Sequence, residues 1–329
     1  MIELSGKNVL VTGATGLLGR PLVDALIKRG AKVTGIGFES LPADWPRAAA
    51  YLRADLSEFD GWTNQTYEID YIFHLAGAKG GVGIGQTKAA DFMRGNILST
   101  VNMFSEIISE DNRPQRILYV SSVGAYPGDR VVFNENEDIW RGPPHRSDFY
   151  GGVSKRFGEA LCEAHRVQHG IDYVVVRPTN CFGPYDRFDP ETGMVIAALI
   201  ARAEAGERPL KVWGDGLAMR DFLYSKDAAE QMILAMTRGE SGEAYNLGTG
   251  KAVSLGAVLG DLKAIYRDLE WQFDYTKPSG PGLRQMDMRK LAALGVLFCA
   301  RMPLALTETV EWYRANKSYA KYDPFKERA

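Results

Sequence analysis

Cysteine, histidine and long apolar runs are scarce in this sequence. Its 329 residues include only three cysteines and four histidines. The odd number and wide spacing of Cys162, Cys181 and Cys299 fit neither a disulfide framework nor a metal knuckle, and they suit a reducing compartment. No apolar run approaches the ~20 residues that span a bilayer, and the N-terminus lacks a basic segment followed by an apolar one. We therefore expect a cytoplasmic protein with no bound metal and no membrane partner.

An excess of charge of one sign is also missing. The 39 Lys and Arg residues are balanced by 41 Asp and Glu residues, which gives a formal net charge of −2. Such a chain has no strong positive field with which to bind nucleic acid. With 45% hydrophobic and 24% charged residues, the composition is that of a globular protein with a substantial core. Disordered and fibrous classes are excluded.

Short apolar runs alternate with helical patterns along the first half of the chain. Six runs are predicted to be strands, at 7–12, 32–36, 50–53, 71–75, 116–121 and 173–177. This alternation predicts an α/β fold with a Rossmann-type, doubly wound parallel sheet. The pattern becomes irregular after Pro178, which predicts a smaller, mixed α/β substrate lobe. We assign 1–178 to a dinucleotide-binding domain to which 221–250 returns, and 179–220 and 251–329 to the substrate-binding lobe.

A glycine turn lies between the first predicted strand and the first predicted helix. Gly13, Gly16 and Gly19 follow the spacing G-x-x-G-x-x-G in the context that a dinucleotide-binding loop requires. Glycines let the backbone approach a pyrophosphate, and the helix N-terminus offers it unpaired N–H groups. After the third strand, Asp55 and Leu56 are candidates for holding the adenine, and the alternative for Asp55 is a helix cap.

The end of the second strand bears on the choice between NAD and NADP. Chains that bind NAD usually carry an acid there. The corresponding position is Gly37, and Glu39 reaches the ribose only if the strand is longer than predicted. No arginine lies close enough in sequence to hold a 2′-phosphate convincingly. We slightly favour NADP(H) and leave NAD(H) open.

Nine short motifs are distributed along nearly the whole chain. They are HLAGAKGG at 74–81, ADF at 90–92 with Asn96, SS at 121–122, SK at 154–155, RPTN at 177–180, FGP at 182–184, VWGDG at 212–216, MRDF at 219–222 and NLGTG at 246–250. Together they resemble the extended short-chain dehydrogenase/reductases, also called the epimerase/dehydratase superfamily, that act on nucleotide sugars. The resemblance is strongest to the GDP-L-fucose synthases. It implies an NAD(P)-dependent oxidoreductase acting on a nucleotide-activated sugar.

In that family, a tyrosine phenol moves the proton that accompanies hydride transfer, assisted by a lysine and a serine. The resemblance assigns the serine to Ser122 and the lysine to Lys155. The tyrosine is expected four residues before the lysine, where this sequence has Gly151, whereas Tyr150 lies five before. Five residues turn a side chain by about 140° on a regular helix. Three accounts stay open: a π-bulge or a distorted first turn restores Tyr150 to the site, Tyr126 or water is the acid, or proton transfer is lost.

Two further acid–base residues of the fucose synthases are missing. In those enzymes a cysteine two residues after the serine and a histidine in the following lobe exchange protons at C3 and C5. The matching positions are Gly124 and Met194, and neither side chain exchanges protons. We therefore expect a 4-keto reductase of a GDP-deoxysugar without 3,5-epimerase activity. The alternatives are a nucleotide-sugar 4-epimerase that retains its NAD, and a catalytically silent binding protein.

The resemblance also implies which residues bind the ligands. For the cofactor they are Gly13, Thr15, Gly16, Leu17, Gly19, Asp55, Leu56, Leu75, Ala76, Gly77, Lys155 and Pro178. For the substrate they are Lys79, Ser122, Asn180, Arg202, Trp213 and Arg220, of which the two arginines would hold the diphosphate. Each also has an ordinary structural alternative, such as a solvated arginine or a packed tryptophan. Helices at 91–108 and 154–169 pair across a dimer interface in the family, so we expect a homodimer.

Overall fold

Strands of the computed structural model fall into one large sheet and two smaller ones. The structure describes residues 2–58, 68–78, 88–107, 113–276, 282–297 and 299–317. The strands are β1 (Asn8–Thr12), β2 (Lys32–Gly37), β3 (Ala49–Arg53), β4 (Tyr71–His74), β5 (Arg116–Val120), β6 (Val132–Phe133), β7 (Tyr173–Pro178), β8 (Asn180–Phe182), β9 (Leu210–Trp213), β10 (Met219–Tyr224), β11 (Ala244–Leu247), β12 (Ala252–Ser254), β13 (Trp271–Asp274) and β14 (Leu283–Met286). The helices are α1 (Gly19–Lys28), α2 (Ala89–Ile107), α3 (Phe149–His169), α4 (Val195–Glu204), α5 (Ser225–Arg238), α6 (Leu255–Ile265), α7 (Arg289–Ala292) and α8 (Met302–Ala315).

The large sheet has seven strands in the order β3-β2-β1-β4-β5-β7-β11, and all neighbouring strands are parallel. This order confirms the predicted doubly wound α/β class, and each of the six predicted strands is present with ends within one residue. The order of connection reverses between β1 and β4. Ligands of such sheets bind outside the carboxyl ends of the strands at the point of reversal. The glycine turn after β1 lies at this point.

Apolar residues cover the large sheet on both faces. Val9 and Val11 of β1 pack in one core cluster with Leu26 of α1 and Met232 of α5, whereas Leu10 packs in another, with Phe104 of α2. Successive side chains of a strand point to opposite faces. The continuous apolar run of β1 therefore fills both layers, as expected for a strand that helices cover on both sides.

The second lobe is built around a mixed sheet in the order β12-β10-β14-β6, with β8 beside β10, and around the pair β13-β9. Its core includes Phe182, Ile196 of α4, Leu259 of α6 and Val310 of α8. Between β10 and β12 the chain returns to the large sheet, where α5 packs and β11 pairs with β7.

Candidate active site

The first and last glycines of the glycine turn have no room for a side chain, whereas the middle glycine does. Gly13 has φ +66°, and a Cβ on it would lie 3.0 Å from the backbone nitrogen of Ala76. A Cβ on Gly19 would lie 2.1 Å from the carbonyl oxygen of Gly13, so only glycine fits there. At Gly16 a Cβ would meet a single atom, at 3.5 Å. This open backbone at the start of α1 fits the pyrophosphate of a dinucleotide.

The segment after β4 lies against the turn. The Thr12 side-chain oxygen accepts hydrogen bonds from the backbone N–H groups of Leu75 (3.1 Å) and Ala76 (3.0 Å). The predicted cofactor residues that follow β1 and β4 are therefore neighbours in the structure. Their contacts with a dinucleotide stay predictions.

Glu39 lies closer to the turn than the sequence indicated. Strand β2 ends at Gly37, and the Glu39 carboxylate accepts a hydrogen bond from the Thr15 hydroxyl at 2.6 Å. The Tyr51 hydroxyl donates to the Glu39 carbonyl oxygen, also at 2.6 Å, and fixes the backbone. A carboxylate at this place accepts the ribose 2′-hydroxyl of NAD and repels a 2′-phosphate. The slight preference for NADP(H) drawn from the sequence stays a prediction, and Glu39 is the residue that bears on it.

Asp55 and Leu56 follow β3 in a compact turn. The Asp55 carboxylate accepts hydrogen bonds from the Ser57 backbone N–H (2.9 Å) and hydroxyl (2.8 Å). Leu56 is buried in the core, and its carbonyl oxygen accepts a hydrogen bond from the Asn102 side chain. The carboxylate of Asp55 therefore has a turn-forming role, and its contact with adenine stays a prediction.

Ser122 and Lys155 meet at the carboxyl end of β5. The Ser122 hydroxyl oxygen accepts a hydrogen bond from the Gly124 backbone N–H at 3.0 Å, at the start of a 3₁₀ turn. The Lys155 ammonium donates to the carbonyl oxygen of Val120 at 2.9 Å. A Cβ on Gly77, in the segment beside the glycine turn, would lie 3.5 Å from the Lys155 Nζ. Burial lowers the pKa of Lys155 to about 8, although the negative charge of Glu159 opposes the shift.

The hypothesis of a π-bulge between Tyr150 and Lys155 is wrong for this helix, because α3 is a continuous α-helix from Phe149 onward. The presence of Gly151 and Gly152 has a different physical reason, which is the space available around them. A Cβ on Gly152 would lie 2.1 Å from the Gly124 carbonyl oxygen, and one on Gly151 would lie 3.0 Å from the Phe92 ring. Close packing therefore requires glycine at 152 and leaves little room beside Phe92 at 151. Tyr150, 41% exposed, stays off the lysine face.

Tyr126 is part of a small core cluster with Phe133. Only 1% of it is exposed, and its hydroxyl donates to the Asn246 side chain at 2.8 Å. Burial raises the pKa of this phenol, although the Arg177 guanidinium beside the ring opposes the shift. A buried phenol with a raised pKa and an engaged hydroxyl suits a structural role and does not favour its use as the acid.

Arg220 shares its strand register with a second arginine. The parallel pairing of β10 with β14 places Arg220 beside Arg284. Burial and the positive charge of Arg284 lower the pKa of Arg220, whereas the Asp148 carboxylate raises it. Two guanidinium groups side by side suit an anion such as a diphosphate. The sequence analysis did not identify Arg284, because only the pairing of β14 with β10, which are distant in sequence, places it beside Arg220.

The other predicted substrate residues lie in varied surroundings. Arg202 donates to Glu207 (2.7 Å) and to the Lys211 carbonyl oxygen (2.7 Å), which ties α4 to β9. The Asn180 amide donates to the carbonyl oxygen of Asp221 at 3.2 Å, and Trp213 is 58% exposed at the end of β9. Lys79 lies outside the described residues. Their binding roles stay predictions, as do that of Pro178, the last residue of β7, and the homodimer.

Membrane-spanning helices and metal-ligand groups are both absent from the described part of the chain. No helix within it is long and apolar enough to cross a bilayer. Nor do three or more His, Cys, Asp or Glu side chains within it form a group suited to a metal ion.

The fold and the glycine turn define a dinucleotide-binding α/β protein. A family model described as the NAD dependent epimerase/dehydratase family matches residues 9–248. The chain belongs to this family.

Two curated relatives match over nearly their whole lengths. The chain is 28% identical to a dTDP-4-dehydro-6-deoxy-D-allose reductase from Streptomyces sp, over 95% of this chain and 98% of the relative. It is 29% identical to a probable GDP-L-fucose synthase 1 from Oryza sativa subsp. japonica, over 96% of this chain and 94% of the relative. The family resemblance drawn from the motifs is confirmed.

Two solved structures share the fold. A GDP-L-fucose synthetase from Naegleria fowleri bound to NADP has a TM-score of 0.80 and 24% identity, covering 97% of each chain. A UDP-glucuronic acid 4-epimerase from Bacillus cereus, in complex with UDP-glucuronic acid and NAD, has a TM-score of 0.80 and 22% identity, covering 94% of this chain and 99% of that chain. Both nicotinamide dinucleotides thus occur on this fold.

The open backbone at Gly16 generates a prediction. Gly16→Ala places a methyl group where the turn is open, so we expect the melting temperature to change by less than about 2 °C, as for a mild surface substitution. Titration of NADH fluorescence should show dinucleotide affinity reduced roughly 10-fold or more, because the methyl group keeps the pyrophosphate from the backbone. Gly206→Ala, at a glycine far from this turn in sequence, is the control for binding. Unchanged affinity in Gly16→Ala would show that the dinucleotide does not lie on this turn.

Proposed function

We propose that this protein is an NADH-dependent reductase of the 4-keto group of a nucleotide-linked 6-deoxy sugar, with GDP as the first base to test, and that it leaves C3 and C5 unchanged. The observation that carries the proposal is the pair Gly124 and Met194, which stand where proton exchange at C3 and C5 would need acid–base side chains. The similarity to a protein named as a 4-dehydro-6-deoxy sugar reductase supports the same reading.

The residues at the end of β5 provide the chemistry at the carbonyl group. A nicotinamide dinucleotide bound at the glycine turn supplies the hydride. Ser122 donates a hydrogen bond to the sugar carbonyl oxygen, which becomes more negative as the hydride arrives. Lys155 keeps a buried positive charge beside this position, and its pKa of about 8 suits proton donation near neutral pH. We assign Lys155 as the proton source, directly or through water, because Tyr150 lies on another face of α3.

The neighbouring arginines of β10 and β14 provide the anchor for the substrate. Arg220 and Arg284 lie side by side near the start of α3. Guanidinium groups bind phosphate oxygens through several fixed N–H donors. We propose that Arg220 holds the diphosphate, which sets the distance from the nucleotide to the sugar carbonyl group at Ser122, while Arg284 keeps its ion pair with Asp148 on the sugar side.

The proposal is tested by following NADH oxidation with enzymatically generated GDP-4-keto-6-deoxymannose and, in parallel, its dTDP-4-keto-6-deoxyglucose counterpart. We expect NADH consumption with at least one of them, and NMR of the product should show reduction at C4 with C3 and C5 unchanged. A 4-epimerase would interconvert sugars with no net NADH consumption. Binding of both ligands without turnover would identify a silent binding protein, and either result would contradict the proposal.

Glu39 should determine the preference for NADH. Because its carboxylate repels a 2′-phosphate, we expect kcat/KM for NADH to exceed that for NADPH by about 10-fold or more. Glu39→Gln removes the charge and should reduce this ratio several-fold, mainly by improving the use of NADPH. Glu3→Gln, at an exposed glutamate of the same domain, should leave it unchanged. A wild-type preference for NADPH would contradict the assignment.

The pH dependence of kcat separates the two candidate proton donors. If Lys155 donates the proton, reduction requires its ammonium form, so kcat should fall as the pH rises through about 8. Lys155→Arg should be slower and should lose this fall, because arginine stays protonated. Tyr150→Phe should keep the wild-type kcat within about twofold, as expected for an exposed residue away from the chemistry. A large loss in Tyr150→Phe would make the phenol the donor.

A further inference from the structure

An ion pair joins the start of α3 to strand β14 of the second sheet. Asp148 immediately precedes α3, and its Oδ2 accepts a hydrogen bond from the Arg284 Nη1 of β14 at 2.6 Å. The Asp148 side chain makes no capping hydrogen bond to α3. It is 33% exposed and that of Arg284 12%, so a ligand can reach the pair.

The Asp148 side chain and the Ser122 hydroxyl both border the space that a side chain on Gly124 would fill. The point that a Cβ on Gly124 would occupy is 3.4 Å from the Ser122 Oγ, 3.3 Å from the Asp148 Cβ and 3.9 Å from the Asp148 Cγ. Any larger residue at position 124 would separate the serine from the carboxylate. The space beside Gly124 therefore connects the Ser122 hydroxyl to the Asp148 side chain.

Both members of the ion pair keep polar atoms for a ligand. Among the described residues, Asp148 Oδ1 accepts no hydrogen bond, and the Nε and Nη2 of Arg284 donate none. A carboxylate oxygen next to an N–H group complements a hydroxyl group, which both donates and accepts. A methyl group at this place would leave Asp148 Oδ1 and the Arg284 Nε and Nη2 without partners as water is displaced, which is costly.

We propose that Asp148 and Arg284 bind the C3 hydroxyl of the sugar and make the enzyme specific for 3-hydroxylated substrates. This inference rests on the proposed reduction at C4. In a 4-keto-6-deoxyhexose the two ring carbons next to the carbonyl group differ, because C3 carries a hydroxyl group and C5 a methyl group. With the carbonyl oxygen on Ser122, the hydroxyl group that can reach Asp148 is the one at C3.

The test compares GDP-4-keto-6-deoxymannose with its 3-deoxy analogue, GDP-4-keto-3,6-dideoxymannose, or the matching dTDP pair if the wild type uses that nucleotide. The wild type should prefer the 3-hydroxylated sugar in kcat/KM by roughly 10- to 100-fold, as expected for a hydrogen bond to a charged group. Asp148→Ala should lose most of this preference through a lower kcat/KM for the hydroxylated sugar alone. Asp148→Asn, which keeps an acceptor oxygen, should lose less, and Asp129→Ala, at an exposed aspartate, should behave as the wild type.

The 3-deoxy analogue distinguishes recognition from structural damage. If Asp148→Ala lowers kcat/KM equally for both sugars, the ion pair only supports the lobes and the proposal is overturned. A wild type that reduces both sugars equally well also overturns it, while the proposed reductase function stands. If the wild type reduces neither sugar of either pair, the reductase function fails and this inference fails with it.

Discussion

Helix α3 lies directly on the carboxyl end of β5, and the part of the candidate site that holds Lys155 depends on this contact. Gly152 lies against the carbonyl oxygen of Gly124, and a Cβ on Gly158 would lie 2.0 Å from the Tyr119 hydroxyl. Helices that approach a sheet so closely need glycine at the contact points. The close approach lets the Lys155 ammonium reach the Val120 carbonyl oxygen and keeps it away from water.

A buried ion pair between Glu159 of α3 and Arg177 of β7 holds α3 in the same position. Glu159 accepts hydrogen bonds from both Arg177 (2.7 Å and 3.0 Å) and the Ser121 hydroxyl (2.5 Å), and the side chains of the ion pair are only 10% and 6% exposed. A pair buried to this degree adds little net stability over apolar packing, but removing one partner is costly, by about 3–5 kcal/mol. Its carboxylate also partly offsets the effect of burial on Lys155. The network thus fixes both the position and the charge of the lysine.

The sequence predicted what depends on local pattern. Apolar runs identified β1 and its parallel neighbours, and the glycine spacing identified the turn between β1 and α1. The sequence did not predict which residues come together through the pairing of strands that are distant in sequence. Arg284 lies beside Arg220 because β14 pairs with β10. The π-bulge was wrong because Gly151 and Gly152 were taken as a sign of distortion, whereas their role is close packing that no local pattern reveals.

The chain alternates between the two main sheets, and this has a consequence for how such enzymes diversify. After β5 it enters the second sheet as β6, returns through α3 and β7, leaves again for β8 to β10, and returns once more as β11. The strands of the second sheet therefore belong to three separate stretches of sequence. A single crossover between two genes cannot transplant a complete substrate lobe. Exchange of the complete lobe between two genes therefore needs more than one crossover.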